Sequence, residues 1–164
     1  MRLVMTLLPI AAALTAPAPR ATGTILFAGG SWAAIDRGNS CVALTRAVRV
    51  AAKGKVQASA GFAFSPDRRR WGEFHALLRR MPRPGAAVML RIDNQPFLLV
   101  SRGNIAWSSG PLQERAIIAA LRGATGMSVE SRDAAGRSFV DPYSLDDAAT
   151  AIDAAAAACA GKSR

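Results

Sequence analysis

Four groups of residues in this chain have types that could do chemistry. The first is His75, the only histidine. A hydrolytic triad needs an activated nucleophile and a third group that orients the base, and no spacing around "WGEFHALLRR" supplies either. A surface histidine is the simpler reading, and a hydrolase using His75 with dispersed acids is the alternative. The second group is Cys41 and Cys159, the only cysteines. With His75 they make three candidate ligands where a structural zinc usually takes four, so no metal is expected. The third is the adjacent acids Asp146-Asp147, which precede an alanine run and are accounted for by a helix start. Glycine stretches such as "AGGS", "RGNS" and "RGATGMS" lack the lysine of a phosphate loop and the spacing of a dinucleotide fingerprint. No cofactor and no catalytic residue are therefore expected.

The fourth group is cationic. In "DRRRWGEFHALLRRMPRPG", Arg68, Arg69 and Arg70 stand beside Trp71, and Arg79, Arg80 and Arg83 stand at the far end of the same segment. Arginine forks suit phosphate and carboxylate, and a neighbouring tryptophan could stack on a partner or enter a lipid interface. These seven residues are the candidate anion- or partner-binding set. A solvated loop with Trp71 packed in the core is the competing reading. If the segment is an extended strand of about ten residues at ~3.3 Å each, its two clusters lie about 30 Å apart. They then form two patches or one stripe rather than a pocket.

Composition is consistent with a basic surface. The formal net charge is +10, and the excess is concentrated. From Arg37 to Arg102 there are 13 Lys or Arg against 3 acids, whereas Gly103 to Arg164 carries 6 against 7. A codon bias toward arginine and alanine is the alternative source of the charge. At 164 residues the chain suits one domain, and an apolar fraction rich in alanine buries little area per residue.

The elements that must position these groups follow from periodicity and turns. "GSWAAIDRGNSCVALTRAVRV" reads as two strands about a turn at Arg37-Gly38-Asn39, the second beginning at Cys41. "KVQASAGFAFS" alternates, with Val56, Ala58, Ala60, Phe62 and Phe64 on one face, as a half-buried strand does. Pro66-Asp67 turns the chain, and the next segment returns as a strand with Phe74, Ala76 and Leu78 on one side, or as a short helix. A meander follows: Val88, Leu90 and Ile92, then Phe97 and Leu99, then Ile105 and Trp107. A helix fits "GPLQERAIIAALRG", with Pro111 first, Glu114 in the first turn and Gly123 as its stop. A hairpin turns near Ala134 to Gly136. The closing helix puts Ala148, Ala149, Ile152, Ala155, Ala156 and Cys159 on one face, with Ser144 as its cap and Gly161 and Lys162 at its end. The sum is an α+β domain: antiparallel, β-rich, sandwich- or barrel-like, with two helices of which the C-terminal one packs on the sheet.

The first residues, "MRLVMTLLPIAAALTAPAPRATG", have a basic start, a short apolar run and then small residues, the layout of a secretory signal over residues 1–21. The expected mature protein, residues 22–164, is exported and peripheral rather than transmembrane. In an oxidising compartment two cysteines read as one disulfide, and the inward face of the last helix points Cys159 toward the core. Closing so long a loop would contribute roughly 4–5 kcal/mol in the chain-entropy model.

The order of features, through "CVALT", "VMLRIDNQPFLL", "GMSVESRDAAGRSF" and "YSLDDAATAIDAA", resembles the invasion-associated locus B family of exported bacterial proteins over most of the mature chain. The resemblance implies a Gram-negative periplasmic, secreted or cell-envelope protein of β-rich fold without known catalysis. The family's association with host-cell invasion and virulence concerns particular members. Relatives commonly carry further cysteines after the early tryptophan and in mid-domain, where this chain reads "WAAID" and "LLVSRGNIAWSS". Their disulfide pattern is therefore not carried over. Export disfavours nucleic acid as the physiological ligand. The expected partners are an anionic envelope component, lipopolysaccharide or phospholipid headgroups, or an envelope protein. A structural or assembly factor touching an envelope protein through a sheet edge is the alternative.

Overall fold

Turn residues at short intervals send each apolar run back along the previous one. The computed structural model of the chain, which describes residues 23–162, is accordingly antiparallel in every pairing. The leader expected over residues 1–21 lies outside the described residues. In chain order the elements are β1 (Thr24–Gly29), β2 (Trp32–Asp36), β3 (Cys41–Arg46), β4 (Ser59–Phe64), β5 (Trp71–Leu77), β6 (Val88–Ile92), β7 (Gln95–Arg102), β8 (Ile105–Trp107), α1 (Pro111–Leu121), β9 (Met127–Arg132), β10 (Ser138–Tyr143) and α2 (Ala148–Ala160). They form one 10-stranded sheet in the order β1-β2-β3-β4-β5-β8-β7-β6-β9-β10. After β5 the chain skips two places to β6 and meanders back, so that β8 lies beside β5. Helix α1 then carries the chain back to β9, on the free side of β6.

A flat sheet of this width would leave its apolar face open. Strand β7 pairs with β6 through Leu99 and with β8 from Val100 onward, so it serves both halves of the sheet. The sheet also meets itself across the gap, where the Val48 amide, just past β3, donates to the Pro142 carbonyl of β10 at 2.9 Å. Inside the curl Phe62 is the hub. Trp32 stacks on it at 6.2 Å between ring centroids and Phe74 meets it edge-on at 5.4 Å. Val88, Leu90, Ile92, Val129 and Phe139 fill the other half, all buried as period-two alternation requires.

Helix α2 lies over β1 to β4, and α1 lies over β5 and also touches β6 and β7. Alanine lets α2 come close. Cys159 in its last full turn bonds to Cys41 at the start of β3, with Cα atoms 5.7 Å apart. Both residues are fully buried, and the two cysteines of the chain are thus accounted for.

Local departures from the sequence reading have identifiable causes. Ser144 does not cap α2. The helix begins at Ala148 behind Asp147, which is in the left-handed region at φ 65°, and the Ser144 hydroxyl instead accepts from the Asp146 amide at 3.2 Å. The connector is pinned flat against β2, because Trp32 Nε1 donates to the Ser144 carbonyl and the Ser31 amide to that of Asp146. Asp146 and Asp147 therefore precede the helix, and Ala151 rather than the exposed Ala149 completes its inward face. Strand β4 is covered on both sides because it is central. A Cβ on Gly61 would stand 2.3 Å from the Ala43 carbonyl and 2.6 Å from the Leu44 side chain. Val56 belongs to the preceding loop and is exposed. Strand β1 has no counterpart in the sequence reading, since an edge strand with exposed Ile25 and Leu26 lacks the alternation that marks the others.

Candidate anion-binding surface

Strand β5 divides the arginine-rich segment. Its seven residues separate the clusters at its ends by about 23 Å at ~3.3 Å per residue, so the structure makes two patches rather than one pocket. At the first end Asp67 organises a tight turn. Its carboxylate accepts from the Ser65 hydroxyl at 2.6 Å and from the Arg69 amide at 3.1 Å. The Ser65 hydrogen bond, followed by the one from the Arg69 backbone, holds the Asp67 carboxyl below its usual range. Arg68 takes a left-handed conformation, φ 57°, and lays its guanidinium over the Trp71 ring at 4.3 Å from the centroid. The edge of Trp71 in turn meets Phe64, with centroids 5.4 Å apart. Trp71 is therefore half-buried against the core with its outer face occupied by Arg68. Arg69 pairs with Asp67 at 3.5 Å, but its side chain is 88% exposed and the pair contributes little.

At the other end the arginines are held by inward acids. Asp141 points into the curl from β10 and is completely buried. Arg79 Nε stands 2.5 Å from its Oδ1, and the Arg79 guanidinium also donates to the Val140 carbonyl at 3.3 Å. Burial pushes the Asp141 carboxyl up, against the opposing pull of the Arg79 backbone amide and guanidinium. Arg80 pairs with Asp133 at 3.0 Å, and Asp133 also takes Arg137 at 3.1 Å. Arg83 belongs to a neighbouring cleft of about 420 Å³, lined also by Met89, Glu130 and Arg132.

Arg79 and Arg80 form one wall of a second cleft, of about 540 Å³, whose other wall is Arg49, Val50, Lys55 and Val56. This loop, residues 47–58, was not among the candidate residues. A legible signal existed: "RAVRVAAKGKVQ" holds four cations and no acid. Unlike the run of arginines beside Trp71, it has no aromatic to draw attention to it. Gln57 fixes the loop from within. Its carbonyl accepts from the Ala51 amide at 2.8 Å, and its amide donates to the carbonyls of Ala47 and Arg49 at 3.3 and 3.2 Å. Among the described residues neither Arg49 nor Lys55 makes a salt bridge.

His75 lies on the other face of β5, half-buried between Gly61 and Trp107 of the flanking strands. Burial lowers its pKa below the ordinary imidazole value, a hydrogen bond to the Glu73 backbone opposes this, and the charges of Arg37 and Arg70 reinforce it. Those charges are cations, the reverse of the carboxylate that orients a catalytic base. The unfolded chain therefore takes up this proton at a higher pH than the folded one, and stability is lost as pH falls through about 6.5. Urea unfolding at pH 7 and 5.5 should show a lower midpoint at the acid pH, and His75→Gln should remove that part of the difference. An identical pH response in the variant would mean that His75 is not the group responsible.

Among the described residues no three His, Cys, Asp or Glu side chains are grouped as a metal site, and no helix is long and apolar enough to cross a membrane. No protein-family model, curated protein or solved structure matches the chain.

Proposed function

We propose that this is an exported, non-enzymatic envelope protein of the kind the resemblance to the invasion-associated locus B family implies, and that it binds an anionic envelope component through a basic surface. The observation that supports this is the cleft between Arg79-Arg80 and the 47–58 loop, where Arg49 and Lys55 are exposed and, among the described residues, make no salt bridge. Arg79 is paired with Asp141 and Arg80 shares Asp133 with Arg137, so their charge is partly balanced and they mainly shape the wall. Arg49 and Lys55 supply the net attraction. The Arg68-Arg70 turn with Trp71 adds positive field from the far end of β5 but does not share the cleft.

The test is sedimentation with vesicles containing anionic phospholipid, and with purified lipopolysaccharide, over a range of salt. Each cation at such a surface is worth about 1 kcal/mol. Arg49→Gln with Lys55→Gln should therefore weaken binding at least tenfold and flatten its salt dependence. Arg68, Arg69 and Arg70 changed together to Gln should also weaken it, by less. Binding unchanged in both variants would remove the proposal. If binding to an envelope protein ignored salt and all these changes, it would favour the open edge of β1, where Ile25 and Leu26 are exposed.

A further inference from the structure

The 47–58 loop is built inside out. Surface loops normally expose polar side chains and bury little, yet this one half-buries Gln57 at its centre and turns Val48, Val50 and Val56 outward. Val50, at 70% relative exposure, borders two clefts, the basic one and a second lined by Trp32, Arg46 and Val48. Gln57 meets the backbone from Ala47 to Ala51, and the Val48 amide is bonded to β10, so the valines are presented by an ordered scaffold. Arg46, Arg49, Lys53 and Lys55 are all exposed on the same stretch.

Resting on the basic-cleft reading, we propose that this loop is a membrane wedge: Arg49, Lys53 and Lys55 engage the phosphates of an anionic phospholipid surface while Val48, Val50 and Val56 enter the headgroup and upper acyl region. Interleaved aliphatic and cationic side chains match an anionic bilayer interface, where apolar area and charge attraction add. A protein partner is less well matched, because protein hot spots are enriched in tryptophan, tyrosine and arginine set in desolvated pockets. The loop carries no aromatic residue. The chain thereby gains a short-range anchor to go with the long-range pull of its net positive charge.

The experiment places a reporter in the wedge. Val50→Trp, read as the difference from the parent chain, should shift to the blue and be quenched by brominated acyl chains in vesicles containing phosphatidylglycerol, and not in neutral vesicles. Val48→Ser, alone and with Val50→Ser, should weaken vesicle binding, by about tenfold for the pair, while Val48→Ser, which lies outside the basic cleft, leaves binding of inorganic tripolyphosphate unchanged, with thermal unfolding confirming that the variants fold. Vesicle binding without quenching, and indifferent to the serine changes, would overturn insertion and leave the basic cleft standing. Binding of tripolyphosphate or lipopolysaccharide without binding of vesicles would do the same. Failure to bind vesicles, lipopolysaccharide or tripolyphosphate would overturn both.

Discussion

Replacing Cys41 and Cys159 together by alanine should lower the unfolding free energy by about 5 kcal/mol, the chain-entropy value for a crosslink spanning a separation of 118 residues. That is comparable with the whole net stability of many single domains, so the variant should populate unfolded chain at ordinary temperature. The dependence is severe because α2 buries mostly methyl groups. Ala148, Ala151 and Ala155 face the sheet with Ile152 as the one large apolar side chain among them, and each alanine offers little area. Further ties to the sheet are polar and local: Lys162, just past the helix, pairs with Asp36 and donates to the Gly38 carbonyl at 3.0 Å. Urea unfolding with and without a thiol reductant measures the effect on the parent chain. A reduced protein whose midpoint matches the oxidised one would show that packing alone holds α2.

The second large effect is expected at Asp141. Asp141→Ala should cost about 3–5 kcal/mol, because it leaves the mostly buried Arg79 charge without its partner. Arg79→Met made together with Asp141→Leu should recover most of that loss, since an apolar pair removes both desolvation penalties. Urea midpoints of the three variants test this. If the double change were as damaging as Asp141→Ala, the carboxylate would have a role beyond neutralising Arg79. The pair also ties the end of β5 to β10, two strands far apart in sheet order, so the same variants should loosen the wall of the basic cleft.

Much of the local structure is legible in the sequence. The alternation of Val88, Leu90 and Ile92, the turn at Arg37-Gly38-Asn39 and Pro111 at the head of α1 each depend on neighbours a few residues away. The start of α2 departs from the sequence reading because Trp32 and Ser31, more than a hundred positions earlier, bind the carbonyls of Ser144 and Asp146 respectively. Sequence alone could not weigh those bonds against a capping hydroxyl. The covering of Gly61 and Ala63 likewise depends on β4 being central, which strand order decides and alternation does not.

The candidate site divides in the same way. The arginines were visible as residue types, but their fates differ by what the fold brings to them: Arg68 covers a tryptophan, Arg79 neutralises a buried acid, Arg80 shares Asp133 with Arg137. The amino-acid order by itself determined most of the strands and both helices, though not the edge strand β1, together with the oxidisable pair and the concentration of positive charge in the first two-thirds of the chain, because periodicity, turn chemistry and composition act over short range. Only the tertiary structure decided which cations are spent on internal acids and which remain outward, and it set Arg49 and Lys55 across a cleft from Arg79. Coulombic pairing and cleft shape depend on separations in space, and a sheet that skips strands and curls back on itself sets those separations independently of position along the chain.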